Sequence, residues 1–241
     1  MPDDSALFSV KLKTDFSESM LTDSLPLIPY SAAEMSIYNN DPSKQEFKVS
    51  FITEASIPVI NKLNLRLLIQ GLYKSEIDSM KSDTIQLNLR NISSPFEIVD
   101  SVKGNLSDSG IVNLRFLDLP NDGIYFLQIT HRNSIETWSS LPGLIFYDNM
   151  LEYNFTDSVT KAFGENLILV NDSLQRFAII SGDVNQDGSI DGTDMLLIDN
   201  DAASLLTGYV STDVNGDGFV DGTDALITAN NAENYVVKIT P

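Results

Sequence analysis

The chain has 241 residues, 42% of them hydrophobic and 9% aromatic, which are the proportions of a folded protein with room for one large or two smaller cores. Its formal net charge of −19 excludes nucleic acid and anionic membrane surfaces as partners, because a binder of phosphate carries the opposite sign. No cysteine is present, so disulfides play no part, and no apolar run approaches the roughly 20 residues that a membrane span needs.

Residues 1–45 are mixed. Phe8–Leu12 alternates like a short strand, and the Ser-, Asp- and Pro-rich stretch through Pro26, Pro29 and Pro42 reads as loop or extended arm. Such an arm packs on its own sheet or adds a strand to a neighbouring molecule. Met1-Pro2-Asp3-Asp4 lacks the basic and apolar regions of an export signal, so the chain is expected to be a processed product or an excerpt.

Residues 46–180 read as all-β. Phe47–Phe51 and Ile85–Leu89 alternate with period two, and Leu65–Leu72 is continuously apolar, as a central strand is. Further strands are predicted at 111–116, 124–129, 135–138, 144–147, 151–155, 167–170 and 177–180. They are separated by turn signals such as Ser109-Gly110, Pro120-Asn121-Asp122-Gly123 and Pro142-Gly143. Short strands at about ten-residue spacing predict an antiparallel β-sandwich. The stretch Leu117-Asp118-Leu119-Pro120-Asn121-Asp122-Gly123-Ile124-Tyr125 resembles the paired-strand signature of prealbumin-like, Ig-like sandwiches, with Tyr125 packed inward. That resemblance implies a spacer or adhesive module rather than a catalyst.

Two copies of one pattern follow. Asp183-Val184-Asn185-Gln186-Asp187-Gly188-Ser189-Ile190-Asp191-Gly192-Thr193-Asp194 and Asp213-Val214-Asn215-Gly216-Asp217-Gly218-Phe219-Val220-Asp221-Gly222-Thr223-Asp224 agree at nine of twelve positions. A calcium loop takes side-chain oxygens at positions 1, 3 and 5, a glycine at 6, a main-chain carbonyl at 7 and a carboxylate at 12, with position 9 often acting through water. The candidate metal residues are therefore Asp183, Asn185, Asp187, Ser189, Asp191 and Asp194, with Asp213, Asn215, Asp217, Phe219, Asp221 and Asp224. Two Ca²⁺ ions are expected. Magnesium fits such an oxygen-rich cage less well, and zinc would ask for thiolate or imidazole. Ile190 and Val220, at position 8, are placed for a short β-bridge between the loops. Residues 181–241 hold eleven acids and one base, or −10. Two ions would reduce that to about −6, so metal and folding are expected to be coupled.

These residues resemble a type I dockerin domain, which begins here at Ser181-Gly182-Asp183 and continues into helices expected at 195–206 and 225–237. The domains are accordingly read as an arm (1–45), a sandwich (46–180) and a dockerin-like module (181–241). A sandwich followed by such a pair resembles the C-terminal end of large secreted bacterial surface proteins. In dockerins positions 10 and 11 help select the cohesin receptor; here they are Gly192-Thr193 and Gly222-Thr223. The Lys-Arg pair that dockerins often carry after the apolar run is absent.

The resulting expectation is a non-catalytic, extracellular, calcium-binding assembly protein. Its partner is a protein or a second copy of itself, as in a surface layer or filament. The alternatives are docking to a cohesin-type receptor, or carbohydrate binding with Trp138 as platform. His131, the single histidine, has no nucleophile motif beside it and reads as structural or as a surface residue. Phe146, Tyr147, Tyr153 and Phe155 read as core.

Overall fold

The computed structural model describes residues 32–37, 47–52, 58–120 and 123–241. Met1–Ile57 and Pro58–Pro241 form separate compact units. In the first unit, β1 (Ala32–Ile37) and β2 (Phe47–Ile52) pair as an antiparallel hairpin, from Ala32 opposite Ile52 to Ile37 opposite Phe47. Phe47–Phe51, an alternating stretch at the start of the expected sandwich, thus finds its partner strand within the N-terminal unit. The predicted strand at Phe8–Leu12 and most of the expected arm lie outside the described residues.

The second unit holds β3 (Ile60–Arg66), β4 (Tyr73–Lys74), β5 (Ser79–Met80), β6 (Asp83–Asn91), β7 (Ile98–Leu106), β8 (Ile111–Leu117), β9 (Tyr125–His131), β10 (Ser134–Trp138), β11 (Met150–Asn154), β12 (Ile168–Asn171) and β13 (Arg176–Ala178). It ends in the helices α1 (Gly192–Ala203) and α2 (Gly222–Glu233). One sheet has the order β10-β9-β6-β7 and the other β11-β3-β8. Their pairs are antiparallel except β11 on β3, which is parallel. Period-two patterning turns Ile85, Leu87 and Leu89 of β6 and Val112, Leu114 and Phe116 of β8 inward, where they join Leu63, Leu65, Leu127 and Ile129 in one buried core. Each such side chain contributes about 1.5–3 kcal/mol by leaving water. The fold is mainly β: a β-sandwich followed by a small helical module.

Leu65–Leu72 departs from the expected single central strand. β3 ends at Arg66, and Gln70–Leu72 forms a 3₁₀ turn. Leu67, Leu68 and Ile69 are all buried because this stretch is covered on both sides, by the sandwich core and by the segment after β13. There the Ile179 amide donates to the Leu68 carbonyl (2.8 Å) and the Gln70 amide to the Ile179 carbonyl (3.0 Å). Burial on every side erases the alternation that marks a half-buried strand.

Candidate metal centre

The loops at 183–194 and 213–224 fold through the same hydrogen bonds. Asn185 Oδ1 accepts from the Asp187 amide (2.8 Å) and Asp187 Oδ1 from the Ser189 amide (2.9 Å). Asn215 and Asp217 make the equivalent contacts at 2.7 and 2.9 Å. A side-chain oxygen that accepts from the amide two residues on curls the chain into successive tight turns. The turn glycines, Gly188 and Gly218, sit at φ of 90° and 89°, a region that favours a residue without Cβ. Their amides donate to Oδ2 of Asp183 (3.2 Å) and Asp213 (3.0 Å).

The last four loop residues also start the helices, which begin three residues earlier than their apolar pattern suggests. Asp191 and Asp221 are N-caps that accept from the amides of Thr193 and Thr223, and Asp194 and Asp224 complete capping boxes. Asp194 reaches back to the loop entrance. Its Oδ1 accepts from the Val184 (2.9 Å) and Asn185 (3.2 Å) amides, and its Oδ2 from the Asp191 amide (3.0 Å). Asp224 does the same with Val214, Asn215 and Asp221 at 2.8, 2.9 and 3.0 Å. Positions 1 and 12 are thereby tied to the backbone of their own loop, while the position-9 carboxylates are directed at the helix N-termini.

Two oxygens are left over. Oδ1 of Asp183 and Oδ1 of Asp213 are buried and have no hydrogen-bond partner. A buried carboxylate oxygen without a donor is costly unless a cation meets it. Burial, reinforced by the charge of Asp194, pushes the Asp183 carboxyl up to about 6. Burial also raises Asp194 and Asp224 despite three backbone donors each. Asp191 and Asp221 are lowered by the hydroxyls of Thr193 and Thr223. Among the described residues no three His, Cys, Asp or Glu side chains are grouped to hold a metal by themselves. An ion here would therefore also need the amide oxygen of Asn185 or Asn215 and main-chain carbonyls. Such an all-oxygen set of carboxylate, amide and carbonyl suits a hard cation of calcium's size.

Ile190 and Val220 do not bridge to one another as their shared position suggested. Each loop pairs with the segment leaving the other repeat's helix: Ser189 bridges Val237, and Phe219 bridges Thr207. The Ile190 amide donates to Val236 (2.9 Å) and the Val220 amide to Leu206 (3.1 Å). Both exits turn at a residue of positive φ, Leu205 (52°) and Tyr235 (54°), which folds the chain back onto the opposite loop.

The module is keyed to the sandwich by polar contacts that the sequence did not announce. Asn231 of α2 donates to Gln70 Oε1 (2.8 Å) and to the Ser181 carbonyl (2.6 Å). The turn between β9 and β10 places Asn133 Nδ2 3.0 Å and Arg132 Nη1 2.8 Å from the Asp213 carbonyl. Arg132 also donates to the Val210 carbonyl, stacks 4.6 Å from the Tyr209 ring centroid and lies 3.2 Å from Asp83 Oδ2. Lys81 donates to the Gly216 carbonyl. A side chain at Gly71 would overlap the Val214 carbonyl.

His131 lies in this junction. Its Nδ1 is 3.0 Å from Ser134 Oγ, and its Nε2 is 3.2 Å from Asp83 Oδ2, off the line of a good hydrogen bond. The three side chains have the composition of a hydrolytic relay. Ser134, however, is 0% exposed and shares its hydroxyl with Ser181 Oγ (3.3 Å), so no substrate reaches it. Trp138 is 5% exposed, with the edges or faces of Phe96 and Phe126 against it and Arg90 5.3 Å from its ring centroid. It offers no free face to a sugar. Tyr153 and Phe155 are core residues, whereas Tyr147 is 75% exposed, on the turn before β11.

The second unit thus joins a β-sandwich to a pair of matched loop–helix repeats. The family model described as the dockerin type I domain matches residues 181–233. Type I dockerin domains bind calcium and serve protein–protein assembly. No curated protein matches the chain. Solved structures resemble it, among them two related complexes. One is a C-terminal interface mutant of a type II cohesin–X–dockerin complex from Acetivibrio cellulolyticus, with 13% identity and TM-score 0.43, covering 73% of this chain and 99% of that one. The other is an N-terminal interface mutant of the same kind of complex and organism, with 16% identity and TM-score 0.37, covering 74% and 99%. No helix among the described residues is long and apolar enough to cross a membrane.

Proposed function

We propose that the chain is a non-catalytic extracellular assembly protein whose C-terminal module takes up two Ca²⁺ ions and docks on a cohesin-type receptor. The observation that carries this reading is the matched pair of buried, unpartnered carboxylate oxygens, Asp183 Oδ1 and Asp213 Oδ1. Each ion is held by positions 1, 3, 5 and 12 of its loop: Asp183, Asn185, Asp187 and Asp194, or Asp213, Asn215, Asp217 and Asp224. The carbonyls of Ser189 and Phe219 complete the set, and Asp191 and Asp221 act through water from the helix caps. The module runs from residue 181, where the chain leaves the sandwich, to residue 241. Its docking face is the uncharged stripe begun by Thr193 and Leu196 on α1 and by Thr223 and Leu226 on α2. Both leucines are 60% exposed at equivalent positions. A receptor with an apolar, hydrogen-bonding surface matches that stripe better than a charged one does.

The test is retention of the whole chain on immobilised type I and type II cohesins in calcium and in EGTA. Retention in calcium is expected to be lost on chelation, in the double variant Asp187→Ala/Asp217→Ala, and in Leu196→Asp/Leu226→Asp. Retention that ignores the chelator overturns the reading. Calcium-dependent growth of homopolymers without a second protein would replace the receptor with a second copy of the chain.

A further inference from the structure

The two loops differ at three positions, and one difference changes how the first ligand is held. At position 4 the first loop has Gln186 and the second has Gly216. Gln186 Nε2 donates to the carbonyl of Asp183 at 2.5 Å. The first loop therefore fixes the backbone of its own position-1 residue. Gly216 has no side chain with which to do so, and the equivalent Asp213 carbonyl is held by Arg132 (2.8 Å) and Asn133 (3.0 Å) from the β9–β10 turn of the sandwich.

The exchange is enforced by packing. Gln186 and Gly216 share a left-handed backbone, at φ of 60° and 68°. A Cβ at Gly216 would lie 2.6 Å from Leu72 Cδ2, so a glutamine there would force the buried Leu72 side chain to shift while the module is docked. Lys81 meanwhile donates to the Gly216 carbonyl. The Arg132 charge sits 3.2 Å from Asp83 Oδ2, which offsets its repulsion of a nearby cation.

We infer that Arg132 and Asn133 are positioning residues for the second calcium loop, supplied by the sandwich in place of the glutamine that the first loop carries itself. The first loop carries its own anchor, although Gln186 Nε2 also reaches the Ser134 carbonyl of β10 (3.3 Å). The second is completed only by docking, so its calcium affinity reports whether module and sandwich are joined. This rests on the two-ion reading above. Outer hydrogen bonds of this kind change metal affinity by about 10–100-fold when removed, because they orient the groups that touch the ion.

The experiment is calcium titration of the full chain by calorimetry, with each loop isolated in turn. Asp187→Ala leaves the second loop to titrate and Asp217→Ala leaves the first. Adding Arg132→Gln/Asn133→Ala is expected to weaken the second loop about tenfold or more and the first less than about twofold. Gln186→Ala is expected to do the reverse. Arg132→Lys, which keeps a cation beside Asp83 and one donor for the carbonyls, should restore part of the loss. It also separates positioning from damage to the fold, as does an unchanged melting transition of the sandwich. Equal weakening of both loops, or none in the second, overturns the inference. If the unaltered chain binds no calcium at any concentration tested, the two-ion reading fails first and this inference falls with it. Two sites that ignore Arg132 sink the inference alone.

Discussion

The sandwich and the C-terminal module face the same entropic cost of ordering a chain and offset it with different materials. The sandwich encloses a continuous apolar cluster from Leu63 through Ile180, fed by both sheets and joined by Ile190 of the first loop. The module's own cluster is four side chains, Val184, Ile198, Val214 and Val220, and beside them it buries Asp183, Asp194, Asp213 and Asp224. A segment of about 60 residues with so small a core normally needs a staple. Where apolar area runs short, the burden passes to groups that are unfavourable until something neutralises them, and stability becomes conditional on a ligand.

The contrast breaks first under chelation. With free calcium at about 100 times the dissociation constant, each ion adds about 2.7 kcal/mol, or about 5 kcal/mol for two. EGTA should remove the helical circular-dichroism signal of α1 and α2 and lower their melting transition while the β-signal of the sandwich persists. Asp187→Ala/Asp217→Ala should reproduce this in calcium. A module that melts identically with and without chelator would refute the division of labour.

The converse test is Phe116→Ala, at the centre of the sandwich and 1% exposed. Truncating a core phenylalanine costs about 3–5 kcal/mol, from lost transfer energy and the cavity left behind. Denaturant unfolding should report nearly the same loss in calcium and in EGTA, since Ile190 is the one metal-loop side chain in that buried cluster. A loss that doubles on chelation would mean that the two regions share one cooperative unit.

The sequence was most informative where chemistry repeats locally. Twelve residues carry a whole loop, so Asp183–Asp194 and Asp213–Asp224 align position by position and their folds follow from contacts two to ten residues apart. β6 and β8 were equally legible, because one face of each is buried and alternation survives. β7 was missed: most of Ile98–Leu106 is exposed at a sheet edge, so no apolar period marks it. The junction was missed for another reason. Arg132, Asn133, Gln70 and Asn231 act across 80 to 161 residues of separation, and nothing in their neighbours betrays a partner so distant. His131 could be recognised as non-catalytic, but its burial against Asp83 depends on a module docked from elsewhere in the chain.

The smallest expected effect is on pH dependence, and it has opposite signs in the two regions. Burial would raise Asp83, but the His131 imidazole 3.2 Å away and the hydrogen bond from Tyr209 outweigh it and hold the carboxyl well below its ordinary range. Its folded pKa lies below its unfolded one, so its contribution to the sandwich is present above about pH 4 and is lost only as pH falls further. Asp183 is the reverse, raised to about 6 by burial and by the charge of Asp194. The calcium-free fold binds that proton more tightly than the unfolded chain does. Its stability therefore falls as pH rises from about 4 to about 6. Calcium must displace the proton, so the first loop's apparent affinity should drop by up to about tenfold, or about 1.4 kcal/mol, for each pH unit below about 6 and level off above 7. Titration of the Asp217→Ala chain between pH 5 and 8 measures this directly. A flat profile would place the Asp183 carboxylate in water rather than in the interior, and would remove the electrostatic reason for the module to need a metal.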